Sequence, residues 1–206
     1  MLIKVKRQDC ITKYPNLPLR EYNAKEDDYD FHYPKVFANY TLTLPSKSYK
    51  GHIKLLGTEL CNLITTSVQD KLIFLGDEKT PWLYRDHDYK PAKEALQYLA
   101  DNKIGKRFNG GLQVGIEELP AFIKHLAWLV RSNAVLPYVH FVDPDQNIIG
   151  DICQYGNLHI STKTKKADAN FKKVIAKSEF EFVTDGQCYN KFSKSGAIKG
   201  RTIAIK

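Results

Sequence analysis

The sequence predicts an α+β fold, and three observations carry that prediction. Tyr40-Thr-Leu-Thr-Leu44 alternates with period two, and Lys71-Leu-Ile-Phe-Leu75 is a short apolar run, so both read as strands. Ile53, Leu56, Leu60, Leu63 and Ile64 recur at helical spacing between them. Over 206 residues the chain is 43% hydrophobic and 26% charged, the balance of a globular protein with one well-buried core.

The elements follow in order. Met1 to Cys10 alternates like a short strand. Residues 15–34 hold Pro15, Pro18 and Pro34 and the acidic run Glu26-Asp27-Asp28, and read as a surface arm anchored by Tyr22, Tyr29, Phe31 and Tyr33. After the strand at 40–44, Pro45 to Ser48 make a turn that offers helix caps, and a helix runs over 51–66. A strand at 71–75 ends at Gly76-Asp77, and Trp82-Leu-Tyr84 suggests a short third strand. Pro91 suits a first helical turn, and Ala92, Ala95, Leu96 and Leu99 share a face that ends near Asn102. Leu112 to Ile116 reads as a fourth strand. The order from Tyr40 to Ile116 is therefore β-α-β-β-α-β, that of a ferredoxin-like unit.

Beyond it, a helix is expected over 117–133, with Leu119, Phe122, Ile123, Leu126 and Val130 on one face. Tyr138 to Val142 and Ile148 to Gln154 flank the turn Asp143-Pro-Asp-Gln-Asn147 as a hairpin. A strand at 158–161, a Lys-rich helix at 167–176, and a second hairpin built from 180–183, Asp185-Gly186 and 188–192 complete a β-rich extension. The expected organisation is one domain: an N-terminal strand and arm (1–37), the ferredoxin-like unit (38–116), and a helix with a basic β-rich extension (117–206). No run approaches the length of a membrane span, and the N-terminus has no apolar signal core, so a cytoplasmic location is expected.

The net charge of +8 is unevenly placed. Residues 157–206 carry eleven Lys plus Arg against four Asp plus Glu, a net of +7, while the first 156 residues hold twenty against nineteen, a net of +1. A basic block of this kind attracts polyanions. Lys163, Lys165, Lys166, Lys172, Lys173, Lys191, Lys194, Lys199 and Arg201 are interleaved with Phe171, Tyr189 and Phe192. Cations for phosphates and rings for bases suit a single-stranded or hairpin RNA.

Motifs of specific chemistry are few. Cys10, Cys61, Cys153 and Cys188 form no C-x-x-C pair, which points to buried thiols with no zinc ribbon, metal or cofactor. None of the six histidines forms H-E-x-x-H. Arg85-Asp86-His87-Asp88 reads as a polar loop. His52, at the start of the first long helix, is the candidate general base. Asp143, Asp145 and Asp151 surround the first hairpin and offer carboxylates to a metal-dependent hydrolase.

Three segments resemble the CRISPR-associated endoribonucleases that process repeat RNA in type I-F systems. They are the strand–helix–strand from Tyr40 through Leu55–Ile64 to Leu75, the hairpin region from Leu136 to Ser161, and Cys188-Tyr-Asn-Lys-Phe-Ser-Lys-Ser-Gly196. The resemblance implies RNA binding, antiviral defence and a place beside other ribonucleoprotein subunits. Its catalytic histidine falls on Cys61, its hydroxyl partner on Asp143–Asp145, and its Arg-rich helix on a segment with only Lys124 and Arg131 as cations. Cleavage, if any, would be metal-independent and use His52. The alternative expectations are a protein-interaction module, such as an immunity or inhibitor protein with an acidic partner, and the hydrolase at Asp143, Asp145 and Asp151.

Overall fold

Strand pairing joins segments far apart in sequence. The computed structural model describes residues 2–67, 69–132, 136, 138–184 and 186–201. Its elements are β1 (Ile3–Val5), α1 (Arg7–Lys13), β2 (Leu19–Asn23), β3 (Asp28–His32), β4 (Ala38–Thr43), α2 (Tyr49–Thr66), β5 (Lys71–Leu75), α3 (Lys90–Asp101), β6 (Gly111–Gly115), α4 (Leu119–Ser132), β7 (His140–Val142), β8 (Ile148–Ile152), β9 (Leu158–Thr162), α5 (Lys165–Ile175) and β10 (Glu181–Phe182). Eight strands form one sheet in the order β1-β6-β5-β7-β8-β9-β4-β10, with every pair antiparallel. Strands β2 and β3 form a separate ribbon. The class is α+β, as the sequence predicts.

The sheet order departs from the ferredoxin-like expectation. Strands β4 and β5, which flank α2, are separated by β9, β8 and β7. Trp82-Leu-Tyr84 forms a turn, not a third strand. Its apolar character serves the core instead: Trp82 is buried beside Phe122, and its indole N–H donates to Gly110 O at 2.9 Å. The expected cap at α2 forms, with Ser48 accepting from Gly51 N; Thr164, which accepts from Ala167 N, starts α5 two residues before the expected 167.

Alternation along each strand separates the two faces. Leu42, Leu72, Phe74, Leu112, Val114, Phe141, Ile152, Leu158 and Ile160 face the helical layer of α2, α3, α4 and α5. Gly57 lets α2 close on α4, since a Cβ there would stand 2.8 Å from Pro120 O. On the opposite face, Ile73, Leu75, Val142 and Ile149 pack under α1 with Cys10, Tyr14 and Leu17. The N-terminal alternation is thus divided between β1 and α1. The arm at 15–34 is ordered as the β2–β3 ribbon and its flanks, which lie across this second face: Phe31 meets Tyr138, and Tyr33 meets His140.

The second expected hairpin does not form. Strand β10 pairs with β4, residues 188–192 form no strand, and Asp185 and Asn133 lie outside the described residues. The alternation of Cys188, Asn190 and Phe192 reflects inward anchoring without a sheet. Asn190 accepts from Arg131 Nη2 at 3.2 Å, and Phe192 packs on Tyr49 and His52.

Candidate functional site

Past the cover of α1, the second face of the sheet turns polar. Pairing sets His140 opposite Asp151, Asp151 opposite His159, and His159 opposite Thr41, a row across β7, β8, β9 and β4. Neighbouring positions on that face add Ser161 and Asn39, whose side chains bond at 2.6 Å, and Tyr33 reaches Ser161 Oγ at 3.0 Å. Tyr33, Asn39, Thr41, Asp151, His159 and Ser161 line an open cleft of about 430 Å³ together with Phe182, Val183, Thr184 and Gly186.

His140 and Asp151 in this row are displaced from their ordinary behaviour. Burial, with a smaller contribution from nearby His159, lowers the His140 imidazole to about 4. Burial raises the Asp151 carboxyl, while His159 works against the rise. His140 Nε2 and Asp151 Oδ1 are 3.9 Å apart, close enough to interact as charges and too far for a hydrogen bond.

Beside this row a second group converges. The β8–β9 turn carries Cys153, which accepts from Gly156 N and donates its own N–H to Asn157 O. Gly156 takes φ +88 there, and a Cβ would press on His52 at 2.9 Å. Cys188 approaches from the C-terminal segment. Its sulfur stands 3.5 Å from His159 Nε2 and accepts from Asn157 Nδ2 at 3.2 Å. A hydrogen bond from Cys153 holds the Cys188 thiol below its usual range, and the same bond, with burial, pushes Cys153 up. The Cys153, His159 and Cys188 donor atoms all lie within 4.8 Å of one another. In sequence they are six and twenty-nine residues apart, and no spacing rule brings them together. Only the pairing of β8 with β9 and the anchoring of residues 188–192 do so.

That anchoring depends on two side chains beneath the turn. His52 is 0% exposed, and its Nε2–H donates to Gly156 O at 2.8 Å. Burial lowers its pKa. A general base must reach a substrate proton. His52 instead supports the turn from within the core. Arg131 donates from Nη1 to Gln154 O and from Nη2 to Asn190 Oδ1, with its guanidinium 3.9 Å from the Tyr49 ring centroid. It holds the turn and the C-terminal segment together.

The other expected sites disperse. Asp143 is buried and accepts from Ile148 N, so it caps its own turn. Asp145 accepts from Gln69 Nε2, and Asp151 points into the polar cleft on the other side of the hairpin. The three carboxylates therefore do not converge on one metal. Cys61, at the position matching the family's catalytic histidine, donates to Ile116 O. His87 Nδ1 accepts from Tyr89 N in a polar loop.

The basic extension divides into tied and free cations. Lys191 Nζ donates to Thr43 Oγ1 and Leu44 O, Arg201 donates to Arg131 O, and Lys163 donates to Lys35 O. Lys172 pairs with Asp168 and lies over Tyr40. Phe171 is core. By contrast Lys165, Lys166 and Lys173 are exposed on α5, Lys177, Lys194 and Lys199 are exposed beyond it, and Tyr189 is 63% exposed. Lys166, Asn170 and Lys173 form one stripe along α5, Lys177 follows in the turn just past the helix, and the four wall a groove of about 520 Å³. Its other wall is the end of α2 and the β7–β8 turn, with Gln69, Asn147, Asp143 and Asp145, and its floor is apolar with Leu63, Ile148, Phe171 and Val174.

No protein-family model matches the chain, and neither the curated proteins nor the solved structures give a match. Fold and sites together define an α+β protein with a helix-covered antiparallel sheet, a Cys/His-bearing polar face and a lysine-walled groove. Among the described residues no helix is long and apolar enough to cross a membrane.

Proposed function

We propose that this protein binds RNA, single-stranded or at the loop of a hairpin, along α5. The observation that carries the reading is the stripe of Lys166, Lys173 and Lys177 beside an open groove. Lys166 and Lys173 sit at i and i+7, so α5 places them on one side, and Lys177 lines the same groove from the turn just past the helix. Among the described residues, the only ion pair on α5 is that of Lys172 with Asp168, which leaves the stripe to meet phosphates. Asn170, Asn147 and Gln69 supply donors and acceptors for base edges, and the apolar floor suits an unstacked base. Lys165 and Lys166 add charge at the helix N-terminus, where the macrodipole also favours an anion.

The proposal is for binding, not cleavage: His52 is enclosed, and the position that the endoribonuclease resemblance assigns to its catalytic histidine is held by Cys61, whose thiol donates to Ile116 O. Fluorescence anisotropy with a labelled single-stranded RNA and a labelled hairpin tests it between about 50 and 200 mM salt. Affinity is expected to fall steeply with salt. The triple change Lys166→Ala, Lys173→Ala, Lys177→Ala is expected to reduce the slope of log K against log salt by about 2, at roughly 0.7 per single-strand phosphate contact. Salt-independent binding, or a triple variant with the wild-type slope, would overturn it. So would an acidic protein that co-purifies in stoichiometric amount through the same stripe.

A further inference from the structure

We propose that Cys153, His159 and Cys188 form a transition-metal site of the zinc class, with its fourth ligand drawn from outside the trio. The site is independent of RNA binding along α5.

Four features support it. The first is donor chemistry. Two thiolates and one imidazole are the set that zinc takes from proteins, and magnesium or calcium would instead need oxygen ligands. The second is spacing. Zn–S bonds of about 2.3 Å and Zn–N bonds of about 2.0 Å at tetrahedral angles put sulfur and nitrogen about 3.6 Å apart. Cys188 Sγ and His159 Nε2 are 3.5 Å apart. All three donors lie within 4.8 Å, so one ion can touch them without movement of the backbone strands.

The third feature is orientation. His159 Nδ1 lies 3.4 Å from Thr41 Oγ1, its cross-strand partner. With Nδ1–H donating to that hydroxyl, Nε2 presents its lone pair toward the sulfurs, the arrangement metal-bound histidines use. Asn157 Nδ2 donates to Cys188 Sγ, as an outer partner does for a ligating thiolate. The fourth is support. The turn bearing Cys153 is fixed by His52 at Gly156 O and by Arg131 at Gln154 O, and Arg131 also fixes Asn190 near Cys188. All three ligands are half-buried, within reach of an ion and partly shielded from water.

Three protein ligands leave a fourth position. Closed structural zinc sites carry four, and sites that bind an exchangeable water or substrate carry three. His159 borders the polar cleft with Asp151, Ser161 and Tyr33, so a small polar ligand there could reach the metal.

Titration of the reduced, chelator-stripped full-length protein with Co²⁺ tests the site. One equivalent is expected to bind with thiolate-to-cobalt charge-transfer absorption, and Zn²⁺ is expected to displace it. Cys153→Ser, Cys188→Ser and His159→Ala should each weaken binding by about 10-fold or more, while Cys61→Ser leaves it unchanged. Circular dichroism on each variant separates a lost ligand from a lost fold. His159→Cys, which keeps a donor, should retain one equivalent and gain charge-transfer intensity. Absence of the band in the folded, reduced protein overturns the proposal. So does full-strength binding by a folded Cys153→Ser, Cys188→Ser variant, or a Cys153–Cys188 disulfide whose reduction creates no cobalt site.

Discussion

Arg131 and Asn190 meet through a single hydrogen bond of 3.2 Å, which ties the C-terminal segment to the end of α4 beside the contacts of Lys191 and Phe192. The guanidinium lies on Tyr49, one arm holds Gln154 O of the β8–β9 turn, and the other holds Asn190. Asn190 in turn donates to Ala197 O and receives Phe192 N–H. Two segments that share no strand pairing are thereby fixed to one helix end.

Arg131→Met should cost about 2–4 kcal/mol in urea unfolding, since it removes charged hydrogen bonds and a cation–π contact at once. Limited trypsin digestion should then cut at Lys191, Lys194 and Lys199 well before the rest of the chain. Arg131→Lys should not restore protection, because one ammonium does not reproduce two planar arms. Wild-type resistance in either variant would show that the segment is held by other contacts.

Gly150 lies between Phe141 on β7 and Ile160 on β9, its direct partners across the sheet. A Cβ there would run into the Phe141 ring and come within 2.8 Å of Ile160 Cδ1. Gly150→Ala is expected to lower stability by about 1–3 kcal/mol through overpacking. Phe141→Leu in the same chain should recover part of that loss. A fully stable single variant would mean that the aromatic ring can move aside at little cost.

Buried His52 and His140 and half-buried His125 should give the protein an acid-sensitive limb. Burial lowers the pKa of His52, His125 and His140, with Lys124 also lowering His125 and Glu94 opposing, and His140 brought to about 4. The unfolded chain titrates near 6.5. Between that value and the lower folded value, the unfolded state holds more protons than the folded one, so stability falls as the pH falls. Stability is expected to be intact above about pH 6.5 and to decline below it. His125 stacks on Tyr98 at 4.3 Å, and His125→Phe should keep that packing while making the decline from pH 7 to pH 5 shallower. An equal decline in both proteins would assign the limb to other groups.

Local pattern revealed most of the elements. α2, α3, β5, β6 and β9 fall where period and caps place them, because each has an amphipathic or fully buried stretch of adequate length. Trp82 misled because a buried aromatic in a turn has the same composition as a short strand. The β2–β3 ribbon was hidden by its prolines and acidic residues, which make an exposed hairpin read as coil. The sheet order had no local signature, since it depends on β4 closing beside β9 more than a hundred residues later. The Cys153–His159–Cys188 group was invisible for the same reason. Metal motifs are recognised by spacing along the chain, and this one exists only across it. The lysines of the extension were legible as charge, but which are free depended on carbonyls and carboxylates contributed by β4, α4 and the loops.

The interleaved sheet has a consequence for synthesis on the ribosome. Strands β1, β4 and β5 are made within the first 75 residues, yet their sheet partners are β6, β7, β9 and β10. No ladder of the main sheet can close until residue 111 has emerged, and β4 stays unpaired until β9 arrives. A nascent chain of that length carries α2 and three open strand edges together, which makes it a substrate for holdase chaperones. Premature termination before β9 would yield an aggregating fragment and not a smaller folded protein.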